Sequence, residues 1–83
     1  NAAVPPEFDF RGLRVEEGLK EVDKYIDQAY LAGMTRVSLI HGKGTGAMRH
    51  AVREYLAKHP LVASYRSGDY YEGGTGVTIV EFK

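Results

Sequence analysis

The sequence predicts an α/β fold, a two-layer sandwich in the order β-α-β-α-β-β, with two helices on a four-stranded mixed sheet. Three observations predict it. Two segments repeat apolar residues at helical spacing, four shorter runs are apolar or alternate with period two, and glycine or proline punctuates the joins. Both helical segments lie between strand-like runs, so those crossovers imply parallel, right-handed pairing. The last two runs are separated only by a loop and can pair antiparallel.

Residues 1–7 include Pro5-Pro6, show no periodicity and read as a linker, with Asn1-Ala2-Ala3 suited to an added tail. Phe8-Asp9-Phe10-Arg11 alternates before Gly12. In a strand, Phe8 and Phe10 face the core while Asp9 and Arg11 share the other face. That charged pair is either a surface ion pair or part of a site. From Val15 to Ala32, Leu19, Val22, Ile26 and Tyr30 fall on one helical stripe. Glu16 and Glu17 suit the positive helix end, and Gly33 is a fitting stop. Gly18 costs about 1 kcal/mol relative to alanine inside a helix, which close packing would explain.

Val37-Ser38-Leu39-Ile40 suits a central buried strand. A second helix runs from Ala47 to His59, with Met48, Val52, Tyr55 and Leu56 on its apolar stripe, and Pro60 ends it. Val62 to Ser67 and Val77 to Phe82 are the last two strands, joined by a mobile loop rich in glycine and aromatics. Tyr25 and Tyr55 belong to the core or its margin. His50 points away from the apolar stripe into solvent, and His59 suits the negative end of the second helix.

Length and composition set limits. Eighty-three residues make one small domain with a modest core. Cysteine is absent, which excludes a disulfide staple and a thiolate metal site and is compatible with a reducing compartment. The formal net charge is zero, so any nucleic-acid binding must come from a local patch. No apolar run approaches a membrane span and no signal-peptide pattern appears, so no membrane partner and a cytoplasmic location are expected. The chain does not begin with Met, and the expectation is a domain cut from a larger protein.

The richest segment is His41-Gly42-Lys43-Gly44-Thr45-Gly46, between the second strand and the second helix. A glycine-rich turn into a helix lets backbone N–H groups converge on an anion at the positive end of the helix dipole. Lys43, Thr45 and, one turn on, Arg49 add a cation, a hydroxyl and a guanidinium. The spacing fits neither a nucleotide-triphosphate P-loop nor a dinucleotide fingerprint. Phosphate binding stands beside a plainer reading, a flexible turn with His41 hydrogen-bonded to the backbone. If the first two strands are parallel neighbours, Asp9, Arg11 and this loop open at one sheet edge, where α/β sheets bind ligands.

Phe8 to Gly12 resembles the Leu-Asp-Leu-His/Arg-Gly signature of Smr (small MutS-related) domains. His41 to Arg49 resembles their His-Gly-x-Gly motif and the helix start after it, and Gly73 to Thr78 resembles their third, glycine-rich block. With Arg14 to Glu17, the pattern is most similar to the C-terminal Smr domain of bacterial MutS-two proteins. Departures are small: Phe8 and Phe10 replace leucines, Gly18 stands for a usual alanine and Met48 for a usual leucine.

The resemblance implies a fold similar to the C-terminal domain of bacterial translation initiation factor three, with residues 8–83 forming an Smr-like endonuclease domain. It implies DNA nicking, linked to suppression of homologous recombination, with a MutS-like ATPase chain preceding the domain. The alternatives are an RNA endonuclease, or a non-catalytic module binding nucleic acid or the ribosome in ribosome quality control. Asp9, Arg11 and His41 are the candidate catalytic residues. Asp9 orients water or holds a loosely bound Mg²⁺ or Mn²⁺, Arg11 offsets phosphate charge, and His41 is the natural acid or base. Gly42, Lys43, Gly44, Thr45, Gly46 and Arg49 are the candidate phosphate contacts. Tyr70 and Tyr71 either stack on the bases of DNA, branched or structured, or pack over the core edge.

Overall fold

The computed structural model describes residues 4–83. The chain runs β1 (Glu7–Asp9), α1 (Val15–Leu31), β2 (Arg36–Ile40), α2 (Ala47–Ala57), β3 (Val62–Ser67), two short 3-10 turns and β4 (Val77–Phe82). The predicted two-layer α/β sandwich is what forms. Sheet order is β1-β2-β4-β3, with β1 parallel to β2 and β4 antiparallel to both β2 and β3. The last strand therefore inserts between β2 and β3, which keeps those two parallel without making them neighbours.

The expected linker is shorter than residues 1–7. Asn1-Ala2-Ala3 lie outside the described residues, but Val4 packs against the core and Glu7 opens β1. The Pro6 carbonyl accepts the Ser38 N–H at 2.9 Å, and the Pro5 carbonyl accepts the buried Tyr25 hydroxyl. Proline lacks an N–H but its carbonyl still serves a neighbour, so Pro5-Pro6 caps the sheet edge. At the other end β1 stops at Asp9, earlier than Arg11, although the Phe10 N–H still reaches Ile40 O at 3.1 Å.

Helix α1 buries Gly18, Val22, Tyr25, Ile26 and Ala29. Its inward face is rotated from the expected stripe. Tyr30 is exposed, with its ring edge-on to Phe82, and Tyr25 takes the inward place. The helix ends in a Schellman arrangement: Gly33 N–H reaches Tyr30 O at 3.0 Å and Met34 N–H reaches Ala29 O at 3.1 Å. Gly33 adopts φ +80°, which glycine enters without steric penalty. The N-terminus of α1 has no side-chain cap.

Gly18 explains itself against α2. A Cβ there would lie 2.4 Å from Met48 Cε and 3.3 Å from Phe10 Cδ2. The two departures from the family pattern thus occupy one space, the methionine filling what an alanine methyl would take. Val22, Ile26, Val37, Leu39, Val52, Leu56 and Val80 form the fully buried centre.

The loop before β4 was expected to be mobile, but it carries ordered turns at Tyr70–Glu72 and Gly74–Gly76. Asp69 and Glu72 form a reciprocal capping box around the first. His59 stands at the end of α2 as expected, and its Nδ1 accepts the Leu61 N–H at 3.1 Å.

Candidate functional site

The parallel pairing of β1 with β2 sets Asp9 opposite Ile40, so the chain leaves both strands at the same sheet edge. Arg11 and Gly42 come next and touch. A Cβ on Gly42 would sit 3.3 Å from Arg11 Cγ. The structure therefore brings Asp9, Arg11 and the glycine loop together on one edge.

Arg11 wraps the Asp9 carboxylate. Its Nε lies 2.9 Å from Oδ1 and 3.1 Å from Oδ2, its Nη2 2.6 Å from Oδ2, and its backbone N–H 3.1 Å from Oδ1. Hydrogen bonds from the Arg11 side chain, then its backbone, hold the Asp9 carboxyl below the usual carboxylate range. Both side chains remain open to solvent. The unit is an exposed, rigid guanidinium whose planar face is set by a carboxylate.

His41 is buried, at 7 % exposure. Nδ1 lies 2.8 Å from the Gly42 carbonyl and Nε2 lies 2.8 Å from Thr78 Oγ1. A carbonyl only accepts, so Nδ1 carries the proton. In the neutral ring Nε2 then accepts from the Thr78 hydroxyl. Burial lowers the His41 pKa first, opposed by the Gly42 hydrogen bond, and the charges of Arg49 and Arg53 lower it further. The backbone hydrogen bond raised as the plainer reading is present, and neither ring nitrogen is free in this arrangement.

Sequence reasoning gave Gly76 and Thr78 no role. Gly76 O accepts the N–H of His41 at 3.1 Å and of Gly42 at 2.9 Å, so the third glycine block braces the second. Thr78 interrupts the otherwise apolar run Val77-Thr78-Ile79-Val80 and is fully buried. A hydroxyl in such a place signals a buried partner, and that partner is His41.

The glycine loop divides its donors. Gly42 N–H is committed to Gly76 O, Gly46 N–H to Lys43 O at 3.1 Å, and Ala47 N–H to Thr45 Oγ1 at 3.3 Å. Among the described residues, the N–H groups of Lys43, Gly44 and Thr45 have no partner in the chain. Gly46 stands before α2 at φ +87° and provides no side-chain cap, so past Ala47 the N–H groups of Met48 and Arg49 stay open as well. No acidic residue occupies the first turn of α2. Arg49 sits there instead, against the helix-dipole preference, which an external anion would reverse. The groove over this turn is lined by Lys43, Gly44, Thr45, Gly46, Arg49 and Thr75, without a carboxylate.

Tyr71 borders a second groove of about 520 Å³ together with Arg11, Gly42 and Lys43. Tyr70 lies outside it and is exposed. His50 is exposed beside Glu54, as expected of a solvated residue.

The donor set does not fit a resident divalent ion. Asp9 is the ligand expected from the sequence, and Arg11 engages both of its oxygens. No group of three or more His, Asp or Glu side chains comes together among the described residues. A metal ion here would depend on substrate phosphate and water for its ligands.

The family model of the Smr domain matches residues 8–83. This chain belongs to the Smr domain family. It is 57 % identical over its whole length to a protein named Endonuclease MutS2 from Listeria welshimeri, and 55 % identical to its namesake from Geobacillus kaustophilus. It spans only 11 % of the length of either relative. The crystal structure of the Smr domain of Thermus thermophilus MutS2 superposes with a TM-score of 0.92 at 44 % identity, covering 95 % of this chain and 99 % of that one. YdaL, a stand-alone small MutS-related protein from Escherichia coli, gives 0.89 at 28 % identity, covering 94 % of this chain and 64 % of that one. The Smr domain here thus has the fold of its solved relatives, and the family match spans the three blocks that resemble Smr signatures. The blocks are adjacent in space because β1, β2 and β4 are neighbours in the sheet.

Proposed function

We propose that this Smr domain is a DNA-nicking module working within a larger MutS-like ATPase chain in the cytoplasm, on branched or structured DNA, in the suppression of homologous recombination. One observation carries the nucleic-acid reading. Lys43, Arg49 and a set of free N–H groups surround an uncapped helix N-terminus next to the Asp9–Arg11 pair. The names of the Endonuclease MutS2 relatives support phosphodiester hydrolysis.

A bound phosphate takes the N–H groups of Gly44 and Thr45, while Lys43 and Arg49 offset its charge. Arg11 stabilises the charge that develops on the oxygens during attack, and Asp9 fixes the guanidinium plane. Asp9, ionised at neutral pH, also orients the attacking water. His41 holds the Gly42 carbonyl and so the shape of the loop. To move a proton it must first release Gly42 or Thr78.

The test is single-turnover nicking of supercoiled plasmid, paired with equilibrium binding. Asp9→Ala is expected to lose nicking while keeping binding. A folded wild-type domain that binds DNA without nicking it overturns the catalytic reading. A second reading has its own support: Asp9 is clasped by Arg11 and both His41 nitrogens are engaged, so neither of these two residues stands free for proton transfer. That arrangement favours a non-catalytic module gripping DNA, RNA or the ribosome by the same cradle.

A further inference from the structure

Tyr70 and Tyr71 are 88 % and 93 % exposed, yet the backbone beneath them is braced. The Asp69 carboxylate accepts the N–H groups of Tyr71 and Glu72, each at 3.0 Å. The Glu72 carboxylate accepts the Asp69 N–H at 2.8 Å and the Arg66 guanidinium at 2.7 and 3.0 Å. Aromatic rings left in water on a fixed backbone form a surface prepared for a flat apolar partner. The rings stand edge to face, 5.2 Å apart and 88° between planes, so a partner stacked on one cannot stack on the other. Tyr71 is the ring that borders the groove shared by Arg11, Gly42 and Lys43.

We infer that Tyr71 is a stacking platform for an unpaired nucleobase whose own backbone phosphate sits in the adjoining glycine loop, with Tyr70 bracing the ring. This rests on the nucleic-acid reading above and adds the side chain that recognises unpaired structure. A base inside a duplex is already stacked on both faces and offers none to Tyr71. A single-stranded, gapped or branched segment offers one. The phosphate contacts are blind to that difference, so the platform supplies the selectivity for unpaired structure.

The chain contains no tryptophan, so Tyr71→Trp creates a unique optical reporter at the platform. The probes are a short single-stranded oligodeoxynucleotide, its ribo counterpart, an abasic strand with the same phosphates and a blunt duplex. Indole emission is expected to be quenched by the base-bearing single strands and not by the abasic strand or the duplex. The sugar giving the stronger quench assigns the source of the base. Tyr71→Ala is expected to weaken single-strand binding about 5- to 100-fold while leaving duplex binding unchanged, and Tyr71→Phe to stay within about twofold of wild type. Salt-dependent binding with unaltered emission, equal for base-bearing and abasic strands, overturns the platform and leaves the phosphate cradle standing. Absence of binding to all four probes by the folded wild-type domain overturns the cradle as well.

Discussion

The Nε2 of His41 lies 2.8 Å from the hydroxyl of Thr78, joining the end of β2 to the start of β4 beneath the glycine loop. Thr78→Val keeps the shape of the side chain but leaves a buried ring nitrogen without its donor. The expected cost is about 1–3 kcal/mol, measured by urea denaturation. Unchanged stability would mean the pair contributes no net free energy.

The same histidine ties stability to pH. Burial, with the nearby charges of Arg49 and Arg53, holds its pKa below the ordinary histidine range, so the unfolded chain binds a proton that the folded chain resists. The resulting stabilisation is complete above the unfolded pKa. It falls as the pH drops through that value toward the lower folded one, a window that opens just below neutral pH. The carboxylates act in a lower window, since Arg66 and the Asp69 backbone hold Glu72 down to about 2. Denaturation curves across the upper window are expected to slope for wild type and flatten for His41→Gln. Equal slopes would place the titrating group elsewhere.

For the chemistry, Asp9 and His41 separate by the parameter they change. Asp9→Ala is expected to reduce single-turnover nicking at saturating protein without shifting the thermal midpoint, because the Asp9–Arg11 pair is exposed. His41→Ala is expected to weaken binding and nicking together if the ring shapes the loop. A fall in nicking alone, by about 10²- to 10⁴-fold, would instead mark proton transfer. Arg11 already engages both oxygens of Asp9, so wild-type binding to DNA is expected to survive chelation by EDTA.

Binding is expected to fall with salt although the net charge is zero. Each phosphate contact contributes a slope of about 0.9 in log–log terms on duplex DNA. Lys43→Ala and Arg49→Ala should each lower the slope by about 1. A titration with no slope would remove the phosphate contacts.

Gly18 and Met48 should behave as a coupled pair. Gly18→Ala gains helix propensity, about 1 kcal/mol, but its methyl meets the end of Met48. Met48→Leu removes that end. The double variant is expected to exceed the sum of the singles by about 0.5–1 kcal/mol in a double-mutant cycle. Additivity would show that Met48 swings aside freely.

Element order, strand direction and both final strands were legible because period and punctuation act locally. The loop's place beside Asp9 and Arg11 followed from one parallel crossover. The insertion of β4 between β2 and β3 was not legible, since neighbour order is decided by long-range pairing. The state of His41 was half legible. Val37, Leu39 and His41 alternate, which carries His41 onto the inward face as surely as the two apolar residues. The motif drew the eye to chemistry while the alternation marked burial. Tyr25 and Tyr30 point about 140° apart around α1, so a buried face centred on Gly18, Val22, Tyr25 and Ala29 leaves Tyr30 outside.

Strand β4 holds the centre of the sheet although it is the last element in chain order. During synthesis, β1, β2 and the whole His41–Gly46 loop are made before Gly76 and Thr78 exist to brace them. A nascent chain therefore has motif residues but no finished cradle, and its strands β2 and β3 lack the partner that unites them. The cradle proposed to hold nucleic acid is therefore finished only when the last strand has taken its place in the sheet.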